Sequence, residues 1–143
     1  VKIKGASQSK NINLKTLPYP GFPTDMQPQF MSLLSLALGE SVITETIFEN
    51  RLNHAHELGK MGAEIEVKSN QAVINGVQDI SGAVVEAANL RAGAALLLAG
   101  LADQGQTVVE NIYHIERGYE SLEAKLTNIG ANIHKEKSRG GIK

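Results

Sequence analysis

The stretch ETIFENR, residues 45–51, recurs 65 to 66 residues later as ENIYHIER, residues 110–117. Two other pairs have nearly the same spacing: GAEI at 62–65 with GANI at 130–133, and Asp25 with Asn89. A period of about 66 residues is too long for a short solenoid repeat, so it indicates a duplicated α/β building block. We place the two repeats at about 15–76 and 80–135, within a single partial domain that covers residues 1–143.

Hydrophobic periodicity predicts that each repeat runs strand–helix–strand–helix–strand. A short alternating segment at 11–14 precedes the first repeat, which contains a helix from Met26 to Leu38, a strand over 41–48, a helix from Arg51 to Met61, and a hairpin over 63–76. The second contains a strand over 82–87, a helix from Arg91 to Ala102, a strand over 106–112, a helix from Arg117 to Ile129, and a strand starting at 131–133. Val1–Ile3 is predicted as a further strand, and residues 134–143 as a frayed tail.

Composition excludes several classes of protein. The 14 basic and 15 acidic residues nearly cancel, so charge does not point to nucleic acid or to an anionic membrane. The absence of cysteine excludes disulfides and thiolate metal sites. The longest apolar run, 92–102, is too short to span a bilayer. No signal peptide is visible, and we expect a cytoplasmic protein.

A stiff loop holds the first candidate carboxylate. In LPYPGFPTDMQPQF, residues 17–30, three prolines and a glycine precede Thr24 and Asp25. One interpretation is helix capping, with Asp25 as the N-cap and Thr24 and Gln27 forming a capping box. The other is a functional carboxylate, since loops on a rigid scaffold often carry function. The stretch alone leaves both interpretations open.

Polar residues recur at loops or at predicted helix starts: Asp25, Arg51, the Asn89–Leu90–Arg91 cluster and Arg117. Arginine at a helix N-terminus opposes the helix dipole, so a repeated placement of this kind indicates a use for the charge. Arginine is suited to binding phosphate or carboxylate. The alternative is surface arginines in weak ion pairs.

Metal and dinucleotide sites are not predicted. His54 and His56 are two residues apart and point to different sides of a helix, so with Glu57 they lack a metal-binding spacing. The glycines of 91–100 do not have the spacing of a dinucleotide fingerprint.

Four segments together resemble the enolpyruvyl transferase family, and in particular its branch that acts on UDP-N-acetylglucosamine: LPYPGFPTDMQPQF, ETIFENR, NLRAGAALLLAG and IYHIERGYE. The resemblance extends from about Val1 to about Ile133. It implies an inside-out α/β barrel, in which three repeated units form a globule with buried helices; this chain resembles two of the three units. It also implies transfer of enolpyruvyl from phosphoenolpyruvate to the 3′-hydroxyl of UDP-N-acetylglucosamine, with release of phosphate, in peptidoglycan precursor synthesis. No metal or organic cofactor is implied.

The resemblance assigns roles to individual residues. Asp25 matches the family's proposed general base, and Arg117 matches an arginine at the phosphoenolpyruvate end, which makes these two the catalytic candidates. The substrate-binding candidates are Thr24, Asp25, Ile47 (through its backbone), Phe48, Arg51, Asn89, Arg91 and Arg117. At position 89 the family commonly has aspartate, and asparagine keeps the hydrogen bonding but loses the charge.

The resemblance also implies that half of the cleft lies elsewhere, because the family's other globule carries a Lys–Asn pair, a cysteine and further arginines. We therefore expect the isolated chain to be inactive, and to self-associate or to bind the remainder of the enzyme through an exposed apolar face. A non-enzymatic UDP-sugar-binding or interaction module is the alternative. The related shikimate-pathway transferase is disfavoured by the PGFPTDMQ and FENR segments.

Overall fold

The computed structural model describes residues 8–136, so the predicted strand at Val1–Ile3 and residues 137–143 of the predicted tail lie outside it. The strands are β1 (Asn13–Lys15), β2 (Glu40–Thr44), β3 (Glu64–Lys68), β4 (Gln71–Asn75), β5 (Val84–Glu86) and β6 (Val108–Glu110). The helices are α1 (Gln27–Leu34), α2 (His54–Lys60), α3 (Leu90–Gly100), α4 (Tyr113–Glu116) and α5 (Leu122–Asn128). A single 3₁₀ turn, Thr24–Met26, leads into α1.

Within the described residues the strands form two sheets. The first has the order β1-β2-β4-β3, in which β1 and β2 are parallel and the other neighbours are antiparallel. The second is the parallel pair β5 and β6. Each parallel pair is joined by a helix, α1 in the first case and α3 in the second, as a parallel connection requires. The same strand–helix–strand arrangement thus occurs twice, while the duplication itself stays a prediction.

The two crossover helices pack against each other in the interior. Met31 and Leu34 of α1 and Leu96 of α3 are almost completely buried in one core cluster. The hydroxyl of Ser32 donates to the carbonyl oxygen of Ala95 across the helix pair at 2.9 Å. The small residues of α3 allow this close approach, which places the starts of α1 and α3 side by side.

Two of the predicted features are confirmed, an apolar face and a hairpin. The apolar face is buried at Ala55 and Leu58 of α2 and at the flanking residues Leu52 and Met61. Gly62 follows with a φ of +92°, a left-handed conformation that glycine adopts without strain. The predicted hairpin is present as β3 and β4, paired from Glu64 with Asn75 to Lys68 with Gln71.

Three boundaries in the first repeat were predicted wrongly. Helix α1 ends at Leu34 rather than Leu38, because the carbonyl oxygen of Ser35 accepts from the N–H of Val77 and the chain turns away. Strand β2 ends at Thr44 rather than residue 48, because the next residues form a turn around the Glu45 carboxylate. Helix α2 begins at His54, three residues later than predicted, because a turn occupies the start of the predicted helix.

The second repeat departs further from the prediction. The single helix expected from Arg117 to Ile129 is wrong: α4 ends at Glu116 with Arg117 as its C-cap residue, and α5 begins only at Leu122. Ser121 interrupts the helix with a left-handed φ of +46°. The strand predicted from 131 is also absent among the described residues, which run irregularly from there to residue 136. In the described part of the chain, no helix is long and apolar enough to cross a membrane.

Candidate active site

Asp25 lies where the starts of α1 and α3 meet. Its Oδ1 accepts a hydrogen bond from Nε of Arg91 at 2.5 Å and lies 3.5 Å from Nη1 of Arg51. Arg91 is the second residue of α3 and is 66 residues away along the chain, so packing of α3 on α1 brings the pair together. The Asp25 side chain is 62% exposed, which leaves this carboxylate open to a ligand.

The helix-capping interpretation of this loop is wrong. Met26 is the N-cap residue of α1, and the side chains of Thr24 and Asp25 point to other partners. The hydroxyl of Thr24 donates to Oε2 of Glu45 at 2.8 Å and accepts from Nη1 of Arg51 at 2.8 Å. The stiff loop therefore holds a carboxylate and a hydroxyl towards arginine rather than towards the helix end.

The two arginines keep Asp25 ionised. The hydrogen bond from Arg91 is the largest cause of a pKa below the ordinary value; partial burial opposes it, and the charge of Arg51 adds to it. A carboxylate in this state is ready to accept a proton, but it is a weak base while both cations remain beside it. Any ligand anion that draws the arginines away would raise the pKa of Asp25 and strengthen it as a base.

A second carboxylate, Glu45, is buried beside this site. Its Oε1 accepts from the hydroxyl of Thr16 at 2.8 Å and from the backbone N–H groups of Ile47 at 2.8 Å and Phe48 at 3.2 Å. Its Oε2 accepts from Thr24. Burial alone would raise the pKa of Glu45, but these donors outweigh it, and the pKa is lowered. Glu45 is thus a buried anion held by hydrogen bonds.

The sequence contained a signal for Glu45 that was missed. In β2 and the residue that follows it, the inward positions are Ser41, Ile43 and Glu45, all of them buried. An ionisable residue in the inward phase of an alternating strand must find partners or lose its charge. A glutamate at an inward strand position therefore indicates that hydrogen-bond donors surround its carboxylate.

The turn after Glu45 carries three predicted contact residues. The guanidinium carbon of Arg51 lies 4.1 Å from the centre of the Phe48 ring, which fixes both side chains. Asn50 has a left-handed φ of +55°, which reverses the chain between them. The backbone N–H of Ile47 already donates to Glu45. A ligand that binds the backbone of Ile47 would therefore donate a hydrogen bond to the carbonyl oxygen of Ile47.

An open groove of about 520 Å³ lies between this turn and the proline-rich loop. It is lined by Leu17, Pro18, Tyr19, Pro20, Gly21, Pro23, Thr24 and Ile47. Thr24, which precedes Asp25 in the chain, and Ile47 border the groove directly.

Asn89 is the N-cap of α3. Its Oδ1 accepts from the backbone N–H groups of Arg91 at 3.0 Å and Ala92 at 2.9 Å. These are donors that the first helical turn leaves without intrahelical partners. The amide therefore fixes the helix start from which Arg91 reaches Asp25, a positioning task that needs no negative charge.

Arg117 is placed differently from the prediction. It follows α4 as its C-cap residue, where a cation is favoured by the helix dipole instead of opposed. Its side chain is exposed, and among the described residues it forms no ion pair with the Asp25 cluster. The inference from repeated unfavourable placement is therefore wrong for Arg117, and its role at the phosphoenolpyruvate end stays a prediction.

His54 is buried and neutral. Burial lowers its pKa from 6.5 to about 4, and its Nε2 lies 3.5 Å from Nε2 of Gln27. Over residues 8–136, histidine, aspartate and glutamate form no cluster of three or more that could hold a metal ion.

Comparison with known families now identifies the family. The sequence profile described as EPSP synthase (3-phosphoshikimate 1-carboxyvinyltransferase) matches residues 1–126, and the chain belongs to this family. It is 55% identical over 131 residues to UDP-N-acetylglucosamine 1-carboxyvinyltransferase 1 of Clostridium perfringens, which covers 92% of this chain and 31% of that protein. The enzyme of the same name from Caldanaerobacter subterraneus is 51% identical over 135 residues, covering 94% of this chain and 32% of that protein. The chain thus spans about a third of the length of these relatives.

Solved structures agree on the fold. The enolpyruvyl transferase NikO from Streptomyces tendae superposes with a TM-score of 0.81 at 31% identity, covering 89% of this chain and 30% of that one. EPSP synthase from Acinetobacter baumannii superposes with a TM-score of 0.61 at 24% identity, covering 79% of this chain and 27% of that one, and supports the fold alone. The resemblance and the enolpyruvyl transferase fold predicted from the sequence are both confirmed.

Proposed function

We propose that this chain forms one wall of the active-site cleft of a UDP-N-acetylglucosamine 1-carboxyvinyltransferase. Such an enzyme moves enolpyruvyl from phosphoenolpyruvate to the 3′-hydroxyl of UDP-N-acetylglucosamine and releases phosphate, in peptidoglycan precursor synthesis in the cytoplasm. The names of the relatives at 51–55% identity support the substrate pair. The observation that carries the proposal is the cluster of Asp25, Arg91 and Arg51, assembled from both halves of the chain.

Asp25 is the proton acceptor in this proposal. As the 3′-oxygen attacks the enolpyruvyl group, its proton passes to the Asp25 carboxylate while phosphate leaves. Arg91 and Arg51 have the planar, permanently charged groups that suit the phosphate and carboxylate of phosphoenolpyruvate. When they turn to those anions, Asp25 loses its hydrogen bond from Arg91 and becomes a stronger base.

The remaining groups of the cleft are expected from the part of the relatives that this chain does not span. The family resemblance implies a Lys–Asn pair and a cysteine there, so we expect the 143-residue chain alone to give no turnover. Arg117 would act at the phosphoenolpyruvate end.

A chimera tests the proposal directly. The corresponding 131 residues of the Clostridium perfringens relative are replaced by those of this chain, which are 55% identical. Phosphate release is then measured with phosphoenolpyruvate and either UDP-N-acetylglucosamine or shikimate 3-phosphate. We expect phosphate release when UDP-N-acetylglucosamine is the acceptor and none when shikimate 3-phosphate is the acceptor. Phosphate release with shikimate 3-phosphate, or no release with either acceptor, would overturn the proposal.

Two aspartate variants of the chimera test the proposed base. Asp25→Asn is expected to reduce kcat by about 10²–10⁴, the usual contribution of a positioned acid or base. Asp79→Asn is the matched control, because Asp79 is an exposed aspartate whose contact with Gln104 lies outside the Asp25 cluster. Equal activity of the two variants would exclude Asp25 as the base.

A binding module is the second candidate, and it is favoured by Asn89, an amide where the family commonly has a carboxylate. In this case the 143-residue chain binds UDP-N-acetylglucosamine without turnover, which calorimetry would detect. Turnover by the unsubstituted chimera would exclude this second candidate, and the chimera with Asn89→Asp tests whether position 89 itself takes part in catalysis. If position 89 takes part in proton transfer, this variant raises kcat by about tenfold or more. An unchanged kcat limits position 89 to the cap of α3.

The expected association surface includes the outer face of the β5–β6 pair. Val84 and Val108 are partners in the strand register and are 58% and 45% exposed. Adjacent exposed apolar side chains of this kind can form part of a protein–protein contact surface. Self-association, or binding of the remainder of the enzyme, is therefore part of the proposal, and sedimentation of the 143-residue chain tests the first.

A further inference from the structure

The buried carboxylate of Glu45 bonds to both turns that border the groove. Its Oε2 binds the turn that carries Thr24 and Asp25, and its Oε1 binds the backbone of Ile47 and Phe48. We propose that Glu45 is a positioning residue, which fixes the separation of these two turns and orients Arg51 on Asp25. This inference rests on the proposed function, because it concerns the geometry of the same cleft.

A chain of three hydrogen bonds connects Glu45 to Asp25. Thr24 donates to Glu45 and accepts from Arg51, and Arg51 in turn reaches Asp25. A hydroxyl has one proton to donate, and arginine can only donate. Because Glu45 takes the proton of Thr24, a lone pair of that oxygen is left to face Arg51. The carboxylate thus fixes the orientation of the Thr24 hydroxyl, the one group in the chain that could point either way.

An amide at position 45 would disturb one half of this arrangement. Its oxygen could still accept from Thr16, Ile47 and Phe48, but its NH₂ group would face Thr24. The hydroxyl of Thr24 would then lose the acceptor that fixes its proton, and its oxygen would have to accept from both this NH₂ group and Arg51. Glu45→Gln therefore loosens Arg51 with little change in side-chain volume.

Burial of this charge is hard to explain by stability alone. Glu45 is 2% exposed and occupies an inward position in phase with Ile43. A buried ionic group often contributes less to stability than a well-packed apolar residue of similar size. A carboxylate that accepts from two separate turns instead gives a defined geometry, which apolar packing would not supply.

Glu57→Gln is the matched control for Glu45→Gln. The side chain of Glu57 is 15% exposed. Its carboxylate accepts hydrogen bonds from the backbone N–H of Glu86 and from Nζ of Lys60. Its hydrogen bonds lie outside the Thr24–Arg51–Asp25 chain. Both variants replace a carboxylate that accepts backbone and side-chain hydrogen bonds, so a difference in kcat between them reflects where the carboxylate lies.

The first experiment measures kcat, KM and unfolding temperature of the chimera with each substitution. We expect Glu45→Gln to reduce kcat by about tenfold to a hundredfold, the size of effect produced by small misplacement of reacting groups. Glu57→Gln should leave kcat within about twofold of the unsubstituted value, since its contacts lie outside the cleft. Thr24→Val should act like Glu45→Gln, while Thr24→Ser, which keeps the hydroxyl, should restore kcat. If Glu45→Gln fails to fold, this pair still tests the link from Glu45 through Thr24 to Arg51, and equal kcat of the two variants refutes the inference.

Two results would overturn the inference: equal kcat for the Glu45 and Glu57 variants, or equal kcat for the two Thr24 variants. A second readout needs no activity. In the 143-residue chain, ¹³C titration should show the pKa of Asp25 moving up towards its ordinary value in Glu45→Gln and staying in place in Glu57→Gln. If the unsubstituted chimera is inactive with both acceptors, the proposed function fails, while this titration still tests Glu45; an unmoved pKa would refute it.

Discussion

Replacing Asn89 with alanine should remove the N-cap of α3 and destabilise the whole domain. The side-chain oxygen of Asn89 satisfies two backbone N–H groups, those of Arg91 and Ala92. Loss of such a cap costs about 1 kcal/mol, within a range of about 0.5–2. Because α3 packs in the core against α1, the cost should appear in the global free energy of unfolding and not as local fraying.

The expected shift in melting temperature follows from the chain length. For 143 residues, an unfolding entropy of about 2.1 cal/mol/K per residue gives about 0.3 kcal/mol/K, so 1 kcal/mol corresponds to about 3 °C. Differential scanning calorimetry and urea unfolding of the 143-residue chain would measure this shift. Asn89→Ser keeps a capping oxygen and should stay within about 1 °C of the unsubstituted chain.

The matched control is Asn53→Ala. Asn53 is the N-cap residue of α2, but its side chain makes no capping hydrogen bond within the described residues. We expect a change of less than about 0.5 kcal/mol for it, as for a surface substitution. If Asn53→Ala and Asn89→Ala lower the melting temperature equally, then the cap of α3 does not contribute as argued.

The other predictions concern the arginine pair, the buried histidine and two glycines. Arg91→Met should raise the pKa of Asp25 in a ¹³C titration by more than Arg51→Met, because the Arg91 hydrogen bond is the largest cause of its lowering; an equal rise would contradict this. His54 has a pKa of about 4 in the folded chain against the ordinary value of 6.5 in the unfolded chain, so only the unfolded chain takes up a proton there between these values. The free energy of unfolding should therefore decrease as the pH is lowered through this window, by up to about 3 kcal/mol, and His54→Gln should flatten the decrease in urea titrations. Gly93→Ala should cost about 1–3 kcal/mol, since its Cβ would lie 2.5 Å from Cγ1 of Ile115. Gly59→Ala in α2, where a Cβ meets open space in the described part of the chain, should stabilise by about 0.5–1 kcal/mol in the same assay.

The parts of the fold that the sequence predicted well are those decided locally. The buried apolar face at α2 follows from the spacing of Leu52, Ala55, Leu58 and Met61. Gly62 adopts a left-handed backbone conformation, which ends the helical segment. The β3–β4 hairpin needs only two alternating segments and a short turn between them. Neighbouring residues contain all the information that these elements require.

The end of α1 was decided by distant contacts. Ala37 and Leu38 continue the apolar spacing of α1, but the N–H of Val77 donates to the carbonyl oxygen of Ser35, and the N–H of Leu38 donates to the carbonyl oxygen of Ser9. At residue 121 the sequence shows no glycine or proline, although the backbone there is left-handed. Hydrophobic periodicity indicates which residues are buried. It does not indicate which hydrogen-bond partner ends a helix or a strand.

The sequence drew attention to part of the candidate site through the spacing of the predicted repeat. A contact between residues 66 apart leaves no trace in local periodicity, although the spacing of the predicted repeat does match Asp25 with Asn89, two residues before Arg91. Packing of α3 on α1 brings Arg91 onto Asp25. Glu45 has no counterpart in that reasoning, because its role depends on the hydroxyl of Thr24 and on two backbone N–H groups that the turn presents. The repeat spacing thus drew attention to the starts of α1 and α3, while the hydrogen bonds of Glu45 depend on the three-dimensional placement of single donors.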